Sequence, residues 1–340
     1  MKLNLDALQG YVYIVNRLVL LALVSVSSTS CFAEQHPGAE AFARKAADEH
    51  QLDQQEVLEV LQQARFKQSV VDAISRPAEA KPWYLYRPIF LNQKRIDGGV
   101  AFWRENETRI AKAADRFQVD PQVIVAIIGV ETFYGRITGG YRVLDALYTL
   151  SFYYPAGGRD RSDFFSSELM NFLLLGKEEG LPLQEVSGSY AGAMGLGQFM
   201  PGSYREYAVD LDDDGRRDLW SSMDDVIGSV ANYLHRHGWK YGEPVVYPLV
   251  AATGANLDLV AERDFEPKYT IEELSHAGFT STHEVDGAQP VSIVRLEEEH
   301  AASFWLIFNN FYVITRYNRS PLYAMAVFEL SEELRRGMLE

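Results

Sequence analysis

Cysteine is nearly absent. Cys31 is the only one in 340 residues, so no intramolecular disulfide can brace the fold. Basic residues are also scarce: 32 Lys and Arg stand against 47 Asp and Glu, a formal net charge of −15. That balance excludes a nucleic-acid backbone as the expected partner, because such binding needs many basic contacts. The nine-residue, largely apolar run from Leu18 to Val26 is too short to cross a bilayer, which takes about 20. No later segment is long and apolar enough either. Internal repeats, low-complexity tracts and a phosphate-binding Gly-Lys-Ser/Thr loop are missing too. No organic cofactor is expected.

What remains is an apolar-rich chain, 47% hydrophobic, with ample length for sizeable cores. Lys2 and Arg17, the Leu18–Val26 core and the Ser-rich stretch to Ala33 read as an export signal over residues 1–33. A buried N-terminal helix is the alternative. Cys31 lies where a lipid would be attached, yet Ser28-Thr29-Ser30 lacks the large aliphatic residue expected three positions before such a cysteine. Cleavage after Ala33 competes with lipidation, and the residues leave both open.

Helical periodicity dominates from Ala39 to Gly180, as in Val57, Leu58 and Leu61. Trp83, Tyr84 and Tyr86 fall in an interruption between Pro77 and Pro88 that reads as an aromatic loop. Helices are predicted over Asp163–Leu175 and Asp224–His237. Beyond Gly242, Val245–Ala251, Ser292–Leu296, Phe304–Phe308 and Tyr312–Arg316 read as strands, with a helical insert at Ile271–Ala277. The predicted class is α+β, mainly α. Its divisions are a helical domain over 37–115, on which 226–240 can also pack, a core over 116–225 and 309–340, and a small β-containing domain over 241–308.

One helix carries an anomaly. Asp120 suits an N-cap, Pro121 the first helical position and Gly135 a terminator. Between them Ile124, Ile127, Ile128 and Glu131 share one face at i, i+3, i+4, i+7 spacing. A carboxylate there must be paired, protonate easily, or line a cleft. A cleft carboxylate that protonates easily is a general acid; a core glutamate paired with arginine is the alternative.

Two further segments carry chemistry. Ser189-Tyr190-Ala191-Gly192-Ala193-Met194-Gly195-Leu196-Gly197-Gln198-Phe199 surrounds a lone amide with small residues, which suits close approach of a bulky ligand or a simple packing turn. Asp210, Asp212 and Asp214 place oxygens at loop positions one, three and five, followed by Gly215 and the Arg216 carbonyl. This is the opening of an EF-hand calcium loop, although Ser221 stands where the bidentate glutamate belongs. Arg159 and Arg161 are the candidate anion-binding patch.

GVETFYGRITG, LYTLSFYYP, SYAGAMGLGQFMPGSYREYAVD, IGSVANYLHRHGW and the Tyr317–Ala324 stretch, in this order, resemble the B-type membrane-bound lytic murein transglycosylases, of glycoside hydrolase family 103 type, from about Ile89 onward. The resemblance implies a lysozyme-like core with an N-terminal helical domain and a small inserted β domain. It implies cleavage of the β-1,4 MurNAc–GlcNAc bond of peptidoglycan glycan strands in the periplasm, leaving 1,6-anhydro-MurNAc ends. Glu131 would be catalytic, and Ser189, Gln198, Tyr233, Tyr317, Asn318 and Tyr323 match cleft positions. Phe199 and Tyr233 offer rings for stacking on sugars. Of the arginines only Arg161 aligns well, after an Ala-Gly-Gly insertion. Asp225 would close a structural Ca²⁺ site with Asp210, Asp212, Asp214 and Arg216. Outer-membrane anchoring would run through Cys31.

One carboxylate suffices for such a reaction, because the sugar's own acetamido oxygen can replace the second carboxylate of most glycosidases. A muramidase using water and a partner such as Asp145 is the alternative enzyme. A non-catalytic peptidoglycan-binding protein is the alternative class; it would lack the need for Glu131 and Gln198.

Overall fold

A computed structural model describes residues 36–76, 81–156 and 159–340. The export signal and Cys31 therefore lie outside the described residues. Six helices come first: α1 (Ala39–His50), α2 (Gln54–Gln62), α3 (Gln68–Ile74), α4 (Trp83–Phe90), α5 (Gln93–Glu105) and α6 (Glu107–Phe117). Next come α7 (Pro121–Thr132), β1 (Tyr141–Arg142), α8 (Val143–Phe152), α9 (Ser162–Glu179), β2 (Ser187–Gly188), α10 (Pro201–Tyr207) and α11 (Met223–Arg236). The β-rich part holds β3 (Val246–Ala251), α12 (Ile271–His276), β4 (Phe279–Ser281), β5 (Ser292–Glu297) and β6 (Ala302–Ile307). Two helices close it, α13 (Asn309–Tyr317) and α14 (Pro321–Leu339). None of the described helices is long and apolar enough to cross a membrane.

The anomalous helix α7 is the axis of the fold. It is apolar on every side, with Val123, Val125, Ala126 and Val130 buried as well as the three isoleucines. Such a helix is stable only inside a core, and α5, α6, α11 and α14 pack around it. Burying Ile124, Ile127 and Ile128 contributes roughly 1.5–3 kcal/mol each. Asp120 does not cap it through its side chain. Its Oδ2 instead accepts from Trp239 Nε1 (2.9 Å) and Gly242 N (3.1 Å), tying the helix start to the segment leaving α11.

The sheet has the order β4-β3-β6-β5 and is antiparallel throughout. Its strand alternation divides two cores. Val246, Val294, Leu296 and Ile307 join the main core, while Leu249, Ile293, Leu306 and Phe308 form a smaller one with α12. Entry and exit are adjacent, since Phe308 N donates to Val245 O (3.1 Å). The first helices share the main core with α7 and α14, and α11 packs on α6.

Two readings of the sequence are overturned. Tyr312–Arg316 belongs to α13, not to a strand. Its β-branched residues are overridden by burial and by Asn310, whose amide bridges Lys240 and Glu243 carbonyls. The aromatic loop is largely α4, which starts after Pro82, buries Trp83 and Tyr86, and tolerates Pro88 in its last turn.

Candidate active site

Glu131 sits half-buried in the last turn of α7. The helix ends just beyond it, and not on glycine alone: Phe133 (φ 51°), Tyr134 (φ 59°) and Gly135 (φ 82°) are left-handed in succession. For two aromatic residues this costs about 1–2 kcal/mol each, so the surroundings must impose the turn. Thr132, fully buried, is one restraint. Its hydroxyl donates to Leu196 O (2.9 Å) or Ile128 O (3.2 Å) and accepts from Gly135 N (3.0 Å).

The α13–α14 turn supplies the other wall. Ser320 caps α14 through Tyr323 N and so presents the Tyr323 side chain, whose Oη donates to Glu131 Oε1 at 2.6 Å. Tyr317, at the end of α13, donates to Gly197 O at 2.5 Å. Burial first, and then the Glu131 charge, holds both phenols well above the ordinary tyrosine range. Both therefore stay protonated and act as donors. Asn318 lies between them, half-buried, at the helix boundary.

The Gly-rich strip runs from Ser189 through short bridges pairing Met194 with Gly188 and with Phe199. Its glycines make room for protein, not for ligand. A Cβ at Gly192 would lie 2.5 Å from Leu147 Cδ2, and one at Gly195 2.6 Å from Leu219 O. Gln198, left-handed at φ 50°, spends its amide hydrogens on Thr138 O (3.1 Å) and Gly195 O (2.9 Å). Its amide is thereby oriented with Oε1 as the remaining acceptor. The Ser189 hydroxyl oxygen accepts from Ala191 N and Ala193 N, which leaves its hydrogen to donate.

Phe199 and Tyr233 are buried, 2% and 7% exposed. Both rings pack on Tyr317, and Tyr233 Oη donates to Arg316 O. Neither ring has a face available for a sugar in this structure; they back the strip instead. Arg161 is exposed and lies over Phe164 and Phe165. Asp145 is buried against Arg142 and Lys67 and accepts from Arg65 N, so it offers no second catalytic carboxylate.

At the acidic loop, Asp210, Asp212 and Asp214 bring carboxylate oxygens within 4.8 Å of one another. Backbone N–H groups of Asp214, Gly215 and Arg216 orient them, and Gly215 turns the chain at φ 90°. Hard oxygens so gathered fit calcium, with the Arg216 carbonyl next in order. Asp225 comes from the first turn of α11. It is fully buried, and its two oxygens accept from Leu211 N and Asp218 N, both at 2.8 Å. It braces the loop from beneath. Asp224 pairs with Arg109 at 2.6 Å.

Sequence reasoning missed Thr132 and Tyr134. Neither fits a spacing rule, because their work is done across the fold, on Leu196 and on Gly99.

Comparison with known proteins adds to this geometry. Residues 34–332 match the family described as the transglycosylase SLT domain. The chain is 41% identical over 307 residues to membrane-bound lytic murein transglycosylase B of Escherichia coli (strain K12), covering 87% of this chain and 82% of that protein. The soluble lytic transglycosylase SltB1 of Pseudomonas aeruginosa superposes with a TM-score of 0.81 at 43% identity, over 89% of this chain and 100% of that one. The Escherichia coli lytic transglycosylase SLT35 in complex with calcium superposes with a TM-score of 0.80 at 39% identity, over 91% and 96%.

Proposed function

Since the chain belongs to the transglycosylase SLT domain family and is a peptidoglycan-cleaving lytic transglycosylase, we propose that Glu131 is its sole general acid and base. The observation that carries this is the 2.6 Å hydrogen bond from the buried Tyr323 to a half-buried carboxylate. It fixes one carboxylate oxygen as acceptor and aims the group from the end of a rigid core helix. Protonated Glu131 gives its proton to the glycosidic oxygen as the bond to the muramic C1 breaks. The acetamido carbonyl oxygen of the same sugar bonds to C1 meanwhile. Glu131, now a carboxylate, takes the proton of the C6 hydroxyl, O6 displaces the acetamido oxygen, and the 1,6-anhydro ring closes. No water is consumed, and the tethered hydroxyl supplies the advantage of an intramolecular nucleophile.

Gln198 Oε1 and the Ser189 hydroxyl hydrogen, not used by these internal bonds, serve the amide and hydroxyl groups of a glycan strand in this proposal. Tyr317 and Asn318 line the same turn as Tyr323. Arg161 remains the residue for contacts further along the strand or its peptide stems.

Asp210, Asp212, Asp214 and the Arg216 carbonyl hold a structural Ca²⁺ in this proposal, in keeping with the calcium complex of SLT35. With Asp225 as the remaining candidate ligand, the ion would offset most of the charge of the three gathered carboxylates and stiffen the loop that follows α10; it would take no part in the reaction. The mature protein acts in the periplasm after removal of residues 1–33 or anchoring through Cys31.

Mass spectrometry of soluble products from purified peptidoglycan tests the reaction. Anhydromuropeptides, one water lighter than hydrolytic products, are expected from the wild type and none from Glu131→Gln. Reducing-end products, or activity retained in Glu131→Gln, would overturn the assignment.

A further inference from the structure

We propose that Tyr134 is a positioning residue for Glu131, acting as a wedge that holds the catalytic turn of α7 against α5. The inference rests on the reading of Glu131 as the general acid. Tyr134 follows Glu131 by three residues, yet its ring does not continue outward. The left-handed backbone at Phe133 and Tyr134 turns the chain back, with Tyr134 N donating to Ile128 O (3.3 Å). The ring then lies 92% buried beside the helix it has just left.

Two glycines on two helices make the slot. A Cβ on Gly129 of α7 would stand 2.6 Å from Tyr134 Oη, and its three nearest atoms all belong to that ring. A Cβ on Gly99 of α5 would stand 2.2 Å from the same oxygen. Phe102 closes the slot by stacking at 5.5 Å and 30°. Above it, Arg95 donates to Gly129 O and lies over Phe133, with Arg136 also over that ring.

The slot clears room for the whole phenol but gives its hydroxyl no partner. Tyr134 Oη is buried and has no hydrogen-bond partner among the described residues. Removing the hydroxyl should therefore be harmless, whereas removing the ring frees the turn. Glu131 would then lose its fixed approach to Tyr323 without any loss of sugar-binding groups. Positioning of this kind appears in kcat and leaves KM alone.

Initial rates of anhydro-product formation from soluble glycan strands test this, with thermal melts alongside. Tyr134→Phe is expected within about twofold of wild type, and Tyr134→Leu about tenfold lower in kcat with KM within about twofold. Gly129→Ala pushes on the ring and should lower kcat similarly. The double variant Gly129→Ala/Tyr134→Leu should be no worse than the poorer single, since both act through one ring. If Tyr134→Leu shows no cooperative melt, Tyr134→Met replaces it with the same expectations. A kcat within about twofold of wild type in the folded ring-less variant, or losses that multiply in the double variant, would overturn the wedge. Glu131→Gln, run in parallel, separates the two readings: activity there refutes the general acid, while an inactive Glu131→Gln beside a fully active Tyr134→Leu refutes only the wedge.

Discussion

Replacing Thr132 by valine removes one hydroxyl and keeps the side chain's shape, so the change isolates a polar link. That hydroxyl donates to Leu196 O at 2.9 Å and accepts from Gly135 N at 3.0 Å. The Ile128 carbonyl does not depend on it, because Tyr134 N also donates there. Two backbone groups thus lose their partner. An orphaned buried polar group costs about 1–3 kcal/mol. Leu196 and Gly135 are both half-buried, which admits some water and selects the lower end of that range. The expected loss is about 2 kcal/mol, or a melting temperature lower by about 4 °C for a protein of this size. Urea unfolding gives the free energy directly. Thr132→Ser is the control: it keeps both hydrogen bonds and loses one buried methyl, at about 0.8 kcal/mol. A valine variant within about 0.5 kcal/mol of wild type, or serine and valine variants equally destabilised, would refute the account.

Three other outcomes are expected. Tyr323→Phe deletes a hydrogen bond to a charged group, worth about 1.5–3 kcal/mol, and should lower kcat about ten- to a hundredfold in the product assay; an unchanged rate would sever Tyr323 from catalysis. Burial raises the Glu168 carboxyl despite the N–H of Gly202, so its stabilising contribution is complete below the unfolded value of about 4.3 and is lost as pH rises through the folded value. Glu168→Gln should then melt progressively higher relative to wild type as pH rises from about 4.3, and a pH-independent difference would contradict this. Calcium at about a hundred times its Kd should stabilise the wild type by about 2.7 kcal/mol, seen as a melting shift that Asp210→Ala/Asp214→Ala abolishes; no shift in the wild type would reject the site.

The sequence was most informative where one residue contradicted its surroundings. Glu131 in an apolar helix and three aspartates at alternating positions stood out because buried or crowded charge needs a reason. The strands β3, β5 and β6 were legible from their Val, Ile, Leu and aromatic content, which suits a sheet whose side chains divide between two cores. Local pattern failed where distant contacts decide. Strand propensity at Val313, Ile314 and Thr315 yields to the core around α13. The two backbone donors that hold Asp225, Leu211 N and Asp218 N, are likewise invisible to local spacing. Phe199 and Tyr233 suit a ligand by residue type, whereas each has other protein rings to cover. The glycines of the strip, too, answer to Leu147 and Leu219, which no local window contains.

The bond between Tyr323 and Glu131 joins residues 192 positions apart. During synthesis at about 5–20 residues per second, Tyr323 is made roughly 10–40 s after the glutamate. Until α14 arrives, the face of α7 that it covers remains bare, and the carboxylate lacks the phenol that aims it. Premature termination anywhere in that interval leaves an exposed apolar helix, which proteases and chaperones recognise. A chain cut short before α14 therefore lacks both the cover of that helix and the donor that aims the glutamate, so the site is complete only when the chain is.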